Sequence, residues 1–261
     1  MREAWGVLLL LLIAGGAAYA HTTTTTEEFS RYNVGWNGTS ALAESEDPGA
    51  TLLILAPDRP FTPGEVGALR AFLDDGGRVL VADEEGGANP LLADLGSTIR
   101  VRPGNLSSLD RGHTDPGLFR CYAVGNETLF AGIETVLANR PAAIEGGEGL
   151  LETSVLTWDD ADGDGRVSGD ETFSRHVVCA REGNLIVLGD PSLFVNAMLA
   201  ENPVFIENLG SVRIDPHSGT GTANPIINTR VWIQETPLAT AALAALAILP
   251  VAWHFGRKRD D

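Results

Sequence analysis

Residues 160–171 read Asp-Ala-Asp-Gly-Asp-Gly-Arg-Val-Ser-Gly-Asp-Glu, with acids at loop positions 1, 3, 5 and 12, glycine at 6 and a hydroxyl at 9. A hard dication takes about six to eight oxygen ligands from a flexible loop, and this spacing supplies them. Asp160, Asp162 and Asp164 would each offer one carboxylate oxygen, Arg166 its main-chain carbonyl, and Ser168 a direct or water-bridged oxygen. Glu171 would close the shell with both carboxylate oxygens. Gly165 permits the sharp turn, and Val167 is expected to point inward. The pattern is that of an EF-hand-type loop for structural calcium. Its flanks, Leu151–Trp158 and Thr172–Ala180, are β-branched and alternating where helices would be needed, so the loop is expected at a hairpin tip. The alternative is an acidic, solvated tip without metal.

Other chemistry finds less support. In an open parallel sheet ligands collect beyond the C-terminal strand ends, where Asp58, Asp83, Glu84, Glu85 and Asp190 fall; Asp83 and Asp190, with Asn33, are the candidates for that crevice. A carboxylate pair there could serve acid–base work or hold a second cation; the competing reading is that Asp190 caps a helix and 83–85 is a solvated acidic loop. No Gly-x-Ser-x-Gly elbow or cysteine counterpart occurs, and Cys121 and Cys179 sit in strand-like surroundings without flanking glycines. The five histidines are scattered, which disfavours zinc. Lys258 is the only lysine, so the rest of the chain has no Schiff-base or phosphate-loop lysine. With 35 Asp plus Glu against 18 Lys plus Arg and a formal net charge of −17, nucleic acid is not an expected partner.

The elements that would position these groups follow from pattern. Thr51–Ala56 is a continuous apolar run of strand length, as expected for a strand buried on both faces. Thr62, Pro63 and Glu65 spell a capping box, Val66, Leu69, Phe72 and Leu73 form one apolar stripe, and Gly76-Gly77 ends the helix. Arg78–Ala82 is the next strand, which gives a β-α-β unit and a parallel sheet. A second unit is expected late, with a strand at Asn184–Gly189 and a helix from Asp190-Pro191 to about Ala200. Residues 99–180 read as a β-rich insertion or edge sheet, and Leu91–Leu95 as a short helix.

Both ends are apolar. Leu238–Phe255 is 18 residues without a charge, followed by Arg257-Lys258-Arg259, which predicts a spanning helix at 237–256 and a cytoplasmic tail at 257–261. Residues 1–20 read equally as a membrane anchor or as a signal peptide ending Ala-Tyr-Ala. Either way the spacer 21–28, the domain 29–210 and the juxtamembrane linker 211–236 face outside the cytoplasm. Sequons at Asn37, Asn105 and Asn126 suit an exported surface, and Cys121 with Cys179 permits one disulfide or two buried thiols.

With these elements in place, the sequence resembles the membrane-associated domain of unknown function family 4350, whose fold is similar to class I glutamine amidotransferases. The resemblance covers about residues 29–209. It rests on Ser30-Arg-Tyr32-Asn33 with Trp36-Asn-Gly-Thr-Ser40, on Pro57–Glu65 with Gly76-Gly77 and Asp83, and on Gly189–Phe194 with Asn196. It implies a flavodoxin-like α/β layer carried on the membrane, here with a β-rich insertion and apolar flanks. The amidotransferase nucleophile has no matching cysteine, so that activity is not implied. The expectation is a non-catalytic, membrane-anchored module that binds a protein, peptide or glycan and is stiffened by calcium. The alternatives are a hydrolase using strand-end carboxylates and an accessory subunit of a transport or envelope assembly.

Overall fold

The apolar run at Thr51–Leu55 forms a strand buried at every residue, β1, and the capping box is realised at the helix that follows, α1 (Pro63–Asp74). The Thr62 hydroxyl accepts from the Glu65 N–H, and the Glu65 carboxylate accepts from the Thr62 N–H at 2.7 Å. The chain continues through β2 (Val79–Ala82) and α2 (Asn89–Leu95) into a β-rich stretch. This comprises β3 (Arg100–Arg102), β4 (Asn105–Ser108), β5 (Leu118–Ala123), β6 (Thr135–Asn139), β7 (Ala143–Glu145), β8 (Glu148–Glu152), β9 (Thr157–Asp160) and β10 (Val177–Glu182). It returns through β11 (Leu185–Leu188), α3 (Asn196–Leu199) and α4 (Pro203–Leu209) to β12 (Val212–Ile214).

The computed structural model describes residues 26–218 apart from Tyr32, Ala43, Glu46, Pro48, Arg111 and Asn126, together with Gly15. The rest of the 1–20 segment, most of the spacer, linker residues 219–236, and residues 237–256 and 257–261, where a spanning helix and a tail are expected, lie outside the described residues. Among those described, no helix is long and apolar enough to cross a membrane.

Eight strands form one mixed sheet in the order β12-β1-β2-β11-β10-β8-β5-β6. The first four are mutually parallel and the remainder run antiparallel. The 99–180 stretch therefore extends the main sheet while adding two small ones, β3–β7 and β4–β9. Because side chains alternate along a strand, the apolar runs feed two cores. Leu53, Leu55, Leu80, Ile186 and Leu188 join Phe119, Phe194 and Phe205 on one face. Leu52, Ile54, Val79, Val81 and Val187 join Val66, Leu69, Leu92 and Ile144 on the other.

Two expectations are corrected. Instead of one helix to Ala200, Pro191–Phe194 is a 3-10 turn capped by Asp190, Val195 is extended, and α3 and α4 follow as separate short helices. The break lets the Asn196 N–H donate to Gly38 O at 2.7 Å. Residues 212–214, read as linker, form β12 on the sheet edge, parallel to β1. The 160–171 loop sits, as expected, between two antiparallel flanks, though irregular ones: Leu151 and Glu152 pair with Cys179 and Val177, the Thr153 N–H donates to His176 O at 2.9 Å, and a Thr157–Ser174 bridge lies nearest the loop, while β9 itself pairs with β4.

Candidate metal centre

Carboxylate oxygens of Asp160, Asp162 and Asp164 all lie within 4.8 Å of one another. Like charges so close repel by about 1 kcal/mol per pair even in water, and a dication turns that repulsion into attraction. Asp160, the last residue of β9, is buried, and its carboxylate accepts from the Ser107 hydroxyl at 2.8 Å and the Gly165 N–H at 3.1 Å. Asp162 accepts from the Asp164 N–H at 3.1 Å and the Ser168 hydroxyl at 3.3 Å, and Asp164 from the Arg166 N–H at 2.7 Å. Gly165 has φ 70°, and a Cβ there would lie 2.7 Å from Pro116 Cγ, so both conformation and space select glycine.

Glu171 is arranged differently from the expected closing ligand. Its Oε1 accepts from the Ala161 N–H at 2.9 Å and its Oε2 from the Ser168 N–H at 2.8 Å, so it staples the loop's two ends and would exchange those donors for a metal. Val167 does not point inward: it is 42% exposed, with no second loop covering it among the described residues. A cleft of about 530 Å³ flanks the loop, lined by Arg102, Asp159, Asp162, Ser168, Glu171 and His176. Burial, aided by Arg102, holds the His176 imidazole below its ordinary pKa, which keeps it neutral.

The strand-end acids are spent on backbone donors. Asp83 accepts from the N–H groups of Glu85 at 3.1 Å and Ala88 at 2.8 Å, and Asp190 from those of Ser192 at 2.9 Å and Asn139 at 2.7 Å. What sequence reading missed is the coupling of Glu84, one of those strand-end acids, to Asp190, which lies close enough for their charges to repel. Burial, then Asp190, pushes Glu84 up to about 8, and burial pushes Asp190 up to about 7 against its backbone hydrogen bonds. Those bonds favour the charge on Asp190 and the proton on Glu84.

Asn33 does not complete a crevice with these acids. Its side chain is engaged within its own loop, donating to Glu27 O and Asn37 Oδ1 and accepting from the Gly35 N–H. Asn196 locks that loop to the sheet, donating to Gly35 O at 2.7 Å and accepting from the Ala41 N–H at 2.8 Å. Of the sequons, Asn37 and Asn105 are half-buried, and Asn126 lies outside the described residues. Cys121 and Cys179 are free, buried thiols. With β8 between their strands, they stand two strand spacings apart, about 10 Å, beyond disulfide reach. Burial raises both thiols well above their ordinary pKa, so neither is a nucleophile.

No curated protein matches the chain. Among solved structures, the mmIFT52 N-terminal domain is similar over 60% of this chain and 72% of its own, at 19% identity and a TM-score of 0.45, a likeness too slight to carry an argument. The sequence model of the domain of unknown function DUF4350 matches residues 30–209, which takes in the Asn33 loop, the β1-α1-β2 unit and the Asp190–Asn196 turn. The chain therefore belongs to the DUF4350 family.

Proposed function

We propose that the chain is a membrane-anchored α/β module, facing outside the cytoplasm, that binds a protein, peptide or glycan and is stiffened by calcium in the 160–171 loop. The observation that carries this reading is the convergence of Asp160, Asp162 and Asp164 within 4.8 Å. Calcium there would neutralise three carboxylates and tie β9 to the irregular return toward β10, a bracing role without turnover. The parallel strands β12, β1, β2 and β11 are, on this reading, the flavodoxin-like layer of an amidotransferase-type fold whose nucleophile is absent. Commitment of Asp83 and Asp190 to backbone donors supports binding over hydrolysis. Exposed Leu109, Val155, Leu156 and Phe173 near the loop offer apolar contact to a partner.

The test is isolation of the full chain in mild detergent, in calcium or in EGTA, beside Asp162→Asn. Companions retained in calcium and lost both in EGTA and from the variant are the expected result. Companions indifferent to calcium in both proteins would contradict the bracing role.

A further inference from the structure

A cleft of about 720 Å³ lies between α1 and the sheet edge at β12 and shares no residue with the 160–171 loop. Its floor is apolar, from Leu52, Leu69, Phe72 and Ile214, yet three arginines, Arg31, Arg59 and Arg213, border it in a chain of net charge −17. Arg31 is committed to Glu44 at 3.0 Å. Arg213 holds its guanidinium carbon over the Phe72 ring, 5.9 Å from the centroid, a cation–π contact that leaves its N–H groups for an oxyanion. Arg59 follows the C-terminal end of β1 and precedes the N-terminus of α1, where anions are favoured.

An independent feature points into the same cleft. His217 lines it while only 3% exposed, stacked on Phe61 with ring centroids 3.8 Å apart. Its Nδ1 lies 2.7 Å from Asp215 Oδ1, which fixes the orientation of the ring. Nε2 is buried without a hydrogen-bond partner among the described residues, and Glu65 Oε1 stands 3.6 Å away, beyond hydrogen-bond range.

We propose that this cleft binds a small organic anion, a carboxylate or phosphate monoester held by Arg59 and Arg213. Its apolar body lies against Leu69, Phe72 and Ile214, and a polar group on that body reaches His217 Nε2. The site goes beyond the calcium-braced module and stands without it.

Isothermal titration calorimetry tests it on the full chain in a non-ionic detergent with EDTA, blank titrations running into detergent alone. The probes are phenyl phosphate, phenylacetate and benzyl alcohol. At least one anion is expected to bind, with benzyl alcohol weaker by about tenfold or more, the loss of one charge-assisted contact. A response to phenyl phosphate alone assigns a phosphate monoester, and one to phenylacetate alone a carboxylate. Arg59→Ala and Arg213→Ala, both at exposed positions and checked for an unchanged melting curve, should each weaken the anion by about tenfold. Asp162→Asn should leave it unchanged. No binding of either anion at tens of millimolar, equal affinity for benzyl alcohol, or full affinity in both arginine variants would overturn the proposal.

Discussion

Glu84 and Asp190 lie just past the C-terminal ends of β2 and β11 and interact through their charges, and together they make stability depend on pH. Glu84 is pushed from 4.5 up to about 8, chiefly by burial and then by Asp190. The folded chain thus keeps a proton that the unfolded chain releases near 4.5. Their contribution is complete below that pH and is lost as pH rises through about 8, an effect on the order of a few kcal/mol. Thermal unfolding between pH 5 and 9 should show this decline, and Glu84→Gln should flatten it; a variant that melts with the same pH slope as the wild type would assign the proton elsewhere. In the loop, Glu171→Gln should cost about 1 kcal/mol even without metal, since a Gln carboxamide accepts through one oxygen where the carboxylate accepts through two; calcium-free melting checks this. The loop donors were legible in the sequence because they are contiguous. The hold of Glu171 on two backbone N–H groups, the Glu84–Asp190 pairing and the Asp215–His217 contact were not, since each depends on a backbone path or register that residue types do not encode.

At the scale of elements, local signals were read correctly where they were self-contained. The capping box, the apolar stripe of α1 and the doubly buried strands β1, β2 and β11 all form as their patterns require. The failures share a cause: tertiary contacts overrode or supplied what propensity could not. Residues 212–214 are too short to announce a strand, and they become β12 because β1 has an open edge beside them. The run after Asp190 lacks a helix breaker before Asn202-Pro203, yet Val195 is extended so that Asn196 can reach the 33–41 loop. Asn196→Ala should therefore cost about 1–3 kcal/mol, and limited proteolysis should find new cleavage within residues 27–42; a variant as resistant as the wild type there would mean that the loop holds without its staple. Gly38→Ala should be the harsher change, because a Cβ at that position would meet Asn33 O at 1.9 Å.

For the whole molecule, the expected orientation places the domain outside with Arg257–Arg259 inside. Protease added to spheroplasts should then digest the domain and spare a small C-terminal fragment from about Leu238; protection of the entire chain would reverse that topology. The central claim is that the domain is braced by calcium, and a calcium titration of thermal unfolding on the full chain, wild type against Asp162→Asn, tests it most directly. That variant removes one charge from the cluster while its Oδ1 can still accept the Asp164 N–H, so without calcium it should melt no lower than the wild type, and higher as far as relieved repulsion allows. With a dissociation constant on the order of 0.1–1 mM, as in extracellular calcium modules, 10 mM calcium should stabilise the wild type by about 1.4–2.7 kcal/mol. That raises its midpoint by roughly 3–10 °C, whereas the variant should move by a small fraction of that. A wild-type midpoint that stays fixed up to tens of millimolar calcium, or an equal rise in both proteins, would contradict the account.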